Sequence, residues 1–332
     1  MKHFTPTACS IALLITLSGC AGGSAESRNK SKLTAVEQYV EGYKAYKEGD
    51  TAKAKSSLEG AVEANPDLRM ARTILGEIYR KENDFNAAAE QYEVLSRIDP
   101  YTLSNHYYLG VSYQFLTKYR DAITAYLRGL KLDTNDFKTN MNLGTVHLAI
   151  GEVDSAVNYL DKATQLDPQS GVAWSNLGVA LDARGSLVLA ETAYRKAVER
   201  EPESLAMMQN LANNLLAQKK SGEAVYLWEQ IVAESRTPFT QTRLGESLAQ
   251  AQDFAKANEQ FDAVLKEDPR YIPAINGKAN ALIRQYELSG FINDQYRTEA
   301  LKLLRNSLSL NSKQPRVGDL VKKYESSSAI KP

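Results

Sequence analysis

Cysteine is nearly absent. The chain holds two, Cys9 and Cys20, and none in the 312 residues that follow. A disulfide framework and a thiolate metal site are thereby excluded from almost the whole length. Histidine is as scarce, with three in 332 residues, which narrows metal and acid–base chemistry. An excess of either charge is missing: 40 Lys and Arg stand against 40 Asp and Glu. Such a chain lacks the basic excess of a general nucleic-acid binder. No Gly-rich phosphate loop, His-Glu-x-x-His, Cys-x-x-Cys or Gly-x-Ser-x-Gly occurs. His106 and His147 fall at apolar packing positions. Asp133 and Asp136 fall at helix ends. The sequence therefore gives no catalytic residue, metal site or cofactor. What it does hold is 43% apolar residues, enough for a large buried core.

The first twenty residues read as an address. Lys2 and His3 precede the apolar run Ile11–Leu17, which is far short of the ~20 residues a bilayer span needs. A basic start, a short apolar stretch and small residues make a secretory signal. Leu17-Ser18-Gly19-Cys20 resembles the lipobox of bacterial lipoproteins. That resemblance implies removal of residues 1–19 and acylation of Cys20. Ala21 follows the cysteine, and by the family's sorting rule this implies the periplasmic face of the outer membrane. Residues 20–34 are expected to be the acylated cysteine and a flexible tether.

From about residue 35 a 34-residue period takes over. Gly42, Gly76, Gly110, Gly144 and Gly178 share one frame, as do Ala54, Ala88, Ala122, Ala156, Ala190 and Ala224. Pro66, Pro100, Pro168 and Pro202 obey it too, and aromatics recur at Tyr92, Tyr126, Tyr194, Trp228 and Phe261. A 34-residue period means one supersecondary unit repeated and stacked. Small residues mark close helix crossings, and the proline ends a helix because it donates no backbone bond. Gly49, Gly151 and Gly185 sit where a first helix ends. Asp50, Asp84 and Asp253 follow as caps for a second.

Trp174, Leu177, Gly178, Ala190, Tyr194, Ala197 and Pro202 make the fullest copy, and the pattern resembles the tetratricopeptide repeat (TPR) family. The resemblance implies an all-α TPR solenoid: a right-handed superhelix of about eight helix–turn–helix repeats over residues 35–315. Val317, Leu320, Val321 and Tyr324 at i, i+3, i+4, i+7 predict a capping helix over 316–325, with 326–332 a disordered tail. Departures are visible. Gln38 and Glu41 replace core residues in the first repeat, Thr134 replaces proline in the third, and the sixth is one residue short. Counting Gly277 as the eighth repeat's small residue leaves eleven extra residues around Tyr286–Tyr296. They either lengthen both helices or form a binding loop.

In this family the first helix of each repeat, helix A, lines the partner groove. Position 6 of three successive repeats gives Asn142, Asn176 and Asn210. A spaced row of amides can pair with an extended peptide backbone, although Asn-Leu-Gly is also a common spelling of the repeat. Tyr39, Tyr43 and Tyr107 are expected on the same face, as aromatics with a polar tip often anchor interfaces. The combination of lipobox and array resembles the TPR lipoproteins of pilus and secretion assembly, of the TadD and PilF/PilW types. It implies a non-catalytic scaffold for protein or peptide partners among envelope assembly components, tethered to the membrane by lipid and without nucleic acid. The rival reading is an adaptor that recruits peptidoglycan hydrolases.

Overall fold

The computed structural model describes residues 25–326. Cys20, the signal segment 1–19 and residues 327–332 lie outside the described residues. Among those described, every regular element is an α-helix. The chain divides into two compact units, residues 1–101 and 102–332.

The first unit holds α1 (Ala25–Glu48), α2 (Thr51–Ala64), α3 (Arg69–Lys81) and α4 (Phe85–Ile98). These are the first two repeats, each an A helix packed on a B helix. α1 opens at Ala25, so residues 25–34, expected in the tether, are helical instead. The physical reason is local: no Gly or Pro stands between Gly23 and Gly42 to stop the helix. Gln38 is not frayed. A Cβ on Gly60 would meet its Nε2 at 2.7 Å, so the glycine makes room for the amide. Glu41 is exposed and pairs with Lys53 at 3.1 Å.

The second unit begins with α5 (Leu103–Phe115), α6 (Tyr119–Leu132), α7 (Phe137–Ala149), α8 (Val153–Leu166), α9 (Gly171–Ala183) and α10 (Leu187–Arg200). It continues with α11 (Leu205–Ala217), α12 (Ser221–Glu234), α13 (Pro238–Gln250), α14 (Phe254–Glu267), α15 (Ile272–Leu288), α16 (Asp294–Leu310) and α17 (Pro315–Ser326). Six A–B pairs are followed by the single helix α17, which buries Val317, Val321 and Tyr324. In this frame each A helix from α3 to α15 starts at repeat position 1.

The short sixth repeat has a clear cause. Its proline has moved to the start of the next helix. Thr237 caps α13 through a reciprocal bond with Thr240, and Pro238 takes the first helical position. The eighth repeat needs a correction. Counting from α15, position 8 is Ala279, fully buried, and not Gly277. A Cβ on Gly277 would strike the Phe261 ring of the preceding repeat at 2.6 Å. The insertion is thus nine residues rather than eleven. It lengthens α15 and α16 to 17 residues each, and the turn between them takes up the rest.

The turn from A to B is the most regular feature of the array. One residue per repeat is left-handed: Gly49, Asn83, Thr117, Gly151, Gly185, Lys219, Gln252 and Gly290, the last followed by left-handed Phe291. The next N–H reaches back to a carbonyl five residues earlier, as in Asp50 to Ala45 at 2.9 Å and Lys118 to Tyr113 at 2.9 Å. This is the Schellman closure of a helix. The caps of the following helix are in place, since Asp50, Asp84 and Asp253 accept from the backbone N–H of Lys53, Ala87 and Lys256.

Thr117 is the poorest fit for this geometry, being β-branched at φ 58°. A left-handed residue with a Cβ carries ~1–2 kcal/mol of strain. Glycine relieves it but loses ~0.5–1 kcal/mol to unfolded-chain entropy. Thr117→Gly is therefore expected to raise stability by about 0.5–1 kcal/mol in a urea titration. A lowered midpoint would contradict the turn.

Candidate partner-binding face

The three asparagines fall in register. Asn142 lies on α7, Asn176 on α9 and Asn210 on α11, each half-buried. Their surroundings follow from the repeat. At position 2 stand Lys138, Val172 and Ala206; at position 9, Thr145, Val179 and Asn213; at position 13, Ala149, Ala183 and Ala217. The position-2 and position-13 residues are all exposed. The amide row thus runs between flanks that carry little bulk at position 13.

The asparagines also bind one repeat to the next. Asn142 donates through Nδ2 to the Tyr107 hydroxyl at 3.3 Å and the Tyr126 hydroxyl at 3.4 Å. Asn210 donates to Ser175 Oγ at 3.2 Å. Asn176 makes no hydrogen bond among the described residues, so its whole amide is available. Row and Tyr107 are therefore brought together, and Asn142 keeps mainly its carbonyl oxygen to offer. Tyr107 packs against Tyr108 at 5.1 Å between ring centroids.

Tyr39 and Tyr43 belong to the first unit and stack on each other at 6.0 Å. Burial, and then the neighbouring Tyr43, raise the Tyr39 hydroxyl above its usual range. Tyr43 is 42% exposed, with Lys47 Nζ 5.5 Å from its ring centre. Val36 and Val40, at positions 2 and 6 of the same helix, are exposed beside them in sequence. The A face is thus apolar and aromatic on α1 and amide-rich from α7 to α11.

Arg243 was missed in the sequence. It occupies position 6 of the seventh repeat, the next step after Asn210. Its guanidinium bonds Asn213 and Glu246 and lies 5.8 Å from the Trp228 ring centre. Burial raises the Glu246 carboxyl above its ordinary range, against the pull of Arg243. The signal was available: once the residue missing from repeat six is allowed for, Gly245 at position 8 puts Arg243 at position 6.

A second polar cluster ties α10, α11 and α12. The buried Glu191 carboxylate accepts from Lys220 Nζ at 2.6 Å, Gln218 Nε2 at 2.8 Å and Arg195 Nε at 3.0 Å. Burial alone would raise this carboxyl, but those bonds outweigh it and hold it below the ordinary value. Its groups are mutually satisfied, so the cluster has a structural role. His106 and His147 are buried in α5 and α7, and His147 stacks on Tyr159 at 5.4 Å.

Residues 39–101, 107–171 and 141–204 match the tetratricopeptide repeat family. The chain is built of tetratricopeptide repeats. A small glutamine-rich tetratricopeptide repeat-containing protein 2 of Mycosarcoma maydis is 35% identical over 94 residues, 28% of this chain and 27% of its own. Among solved structures, the APC/C hetero-tetramer Cut9-Hcn1 aligns with a TM-score of 0.53 at 14% identity, covering 82% of this chain and 52% of that one. It shares the fold. Pseudomonas aeruginosa pilF aligns with a TM-score of 0.49 at 18% identity, over 63% of this chain and 93% of that one. The matches span between 16% and 34% of the length of the curated relatives.

Proposed function

We propose that this array is a lipid-anchored, non-catalytic scaffold that holds an extended segment of an envelope assembly protein along the asparagine row of α7, α9 and α11. Tetratricopeptide arrays act as protein-interaction scaffolds. The observation that carries the finer reading is Asn176. It stands mid-row, with both amide donors and its acceptor unspent, between two asparagines that the fold itself uses. A peptide backbone offers the complementary N–H and C=O groups. The Leu17–Cys20 lipobox supports acylation at Cys20 and a place on the periplasmic face of the outer membrane, where pilus or secretion components assemble.

In-cell crosslinking with mass spectrometry of the captured proteins tests this. Asn176→Ala is expected to cut partner capture several-fold with an unchanged melting temperature, since it removes no internal bond. Cys20→Ala is expected to move the protein from the membrane to the soluble periplasmic fraction. Full capture by Asn176→Ala would remove the row as the site, and retention of Cys20→Ala in the outer membrane would remove the anchor.

A further inference from the structure

Position 4 of the repeat has a constant task. Its side chain donates to the carbonyl at position 32 of the repeat before. Arg72 Nε reaches Pro66 O at 2.5 Å, Asn140 Nδ2 reaches Thr134 O at 3.1 Å, and Trp174 Nε1 reaches Pro168 O at 3.0 Å. The bond is alike, but the bulk is not. Trp174 brings an indole, and Lys196 Nζ sits 3.9 Å from its ring centre. Asn140 brings four heavy side-chain atoms. Where the indole would lie, a hollow of about 560 Å³ opens on the B-helix side of the array, away from the asparagine row.

The lining is of two kinds. Leu127, Leu130 and Tyr159 are apolar surface, with Leu127 38% exposed. Arg128 and Lys131 stand on the same helix, α6, one turn apart, and neither forms an ion pair or hydrogen bond among the described residues. The polar remainder is largely spent. Asn140 gives its amide to Thr134 O and to Asp136 O at 2.9 Å, and Thr124 donates to Arg120 O. A peptide backbone laid here would find few groups for its own N–H and C=O, and burying them unpaired is costly. An alkyl chain needs none. A volume within the ~300–1,000 Å³ of small-ligand sites, an apolar floor and two unneutralised cations together define the occupant.

We propose that this hollow binds an anionic amphiphile, an alkyl chain lying on Leu127, Leu130 and Tyr159 with a carboxylate or phosphate head held by Arg128 and Lys131. Guanidinium and ammonium groups pair with such heads through charge-assisted hydrogen bonds. The site is separate from the partner-binding face and does not rest on that reading.

Calorimetric titration of the full chain with dodecanoate, below its micellar concentration, tests the proposal. Dodecyl phosphate is titrated beside it to separate the two head groups, and dodecyltrimethylammonium is the charge-reversed control. Saturable binding of one anion is expected, with the cation at least tenfold weaker. Arg128→Gln with Lys131→Gln should weaken the anion at least tenfold. Asn140→Trp should abolish binding while keeping the melting temperature, because it installs the next repeat's own residue with its own hydrogen bond. Leu127→Glu, at an exposed position, should also abolish it and serves if Asn140→Trp fails to fold. Equal binding of cation and anion, unchanged binding in Asn140→Trp or in Leu127→Glu, or no saturable binding of either anion would overturn the proposal.

Discussion

Gly178→Leu is expected to cost at least about 3 kcal/mol, the upper end of what overpacking usually does. A Cβ added to Gly178 would lie 2.5 Å from Cε1 of Tyr194 and 2.6 Å from Cδ1. That ring is 2% exposed and cannot swing aside. Its hydroxyl donates to Asp182 Oδ2 at 3.0 Å, and Asp182 Oδ1 accepts from Asn214 at 2.6 Å. Displacing the ring therefore breaks a chain of bonds from α10 through α9 to α11, and the damage crosses into the next repeat. Gly222→Leu is the control, since nothing lies within 4 Å of its Cβ position. Stability in a repeat array is nearly a sum of local terms, so hydrogen exchange is the sharper measurement. Protection should fall in α9 to α11 first. Equal melting of the two variants would mean that Gly178 does not sit at the helix crossing.

The same close approach explains why so much of the fold was legible. Gly76 lies under Tyr92, Gly110 under Tyr126, Gly144 under Leu160 and Gly245 under Phe261, each with less than 3 Å to spare for a Cβ. Such a contact admits one residue type and writes a period into the sequence. The left-handed turns were only half legible. Gly49, Gly151 and Gly185 announce them, but Asn83, Thr117, Lys219 and Gln252 take the same conformation because helix packing overrides local preference. The eighth repeat was misframed because Gly277 and Ala279 are both small, and only the contact with Phe261 tells them apart. α1 was read too short because a polar run without breakers looks the same as tether or as helix. The asparagine row was legible as a spacing. Which of its amides the fold consumes was not, since that depends on the Tyr107, Tyr126 and Ser175 hydroxyls, which reach the row from neighbouring helices.

Trp228→Ala is expected to cost about 3–5 kcal/mol, as removal of a large buried aromatic does. Trp228 is fully buried in the core that joins the sixth and seventh repeats, among Met208, Ala212, Ile231, Leu244 and Leu248. Trp228→Phe should be far milder. Phe261 fills the corresponding position of the next repeat and is equally buried. Moreover the indole Nε1 is buried without a hydrogen-bond partner, and its loss relieves a desolvation cost of ~1–3 kcal/mol. The pair of variants also separates core from partner-binding face. The Trp228 ring underlies the Arg243 guanidinium, and the stacking persists on a phenyl ring but not on a methyl group. If Arg243 continues the asparagine row, Trp228→Ala should lose partner capture beyond its loss of stability, while Trp228→Phe retains both. A Trp228→Phe variant as unstable as Trp228→Ala would mean that the indole nitrogen is satisfied in the folded protein, and that its shape is read more tightly than its bulk.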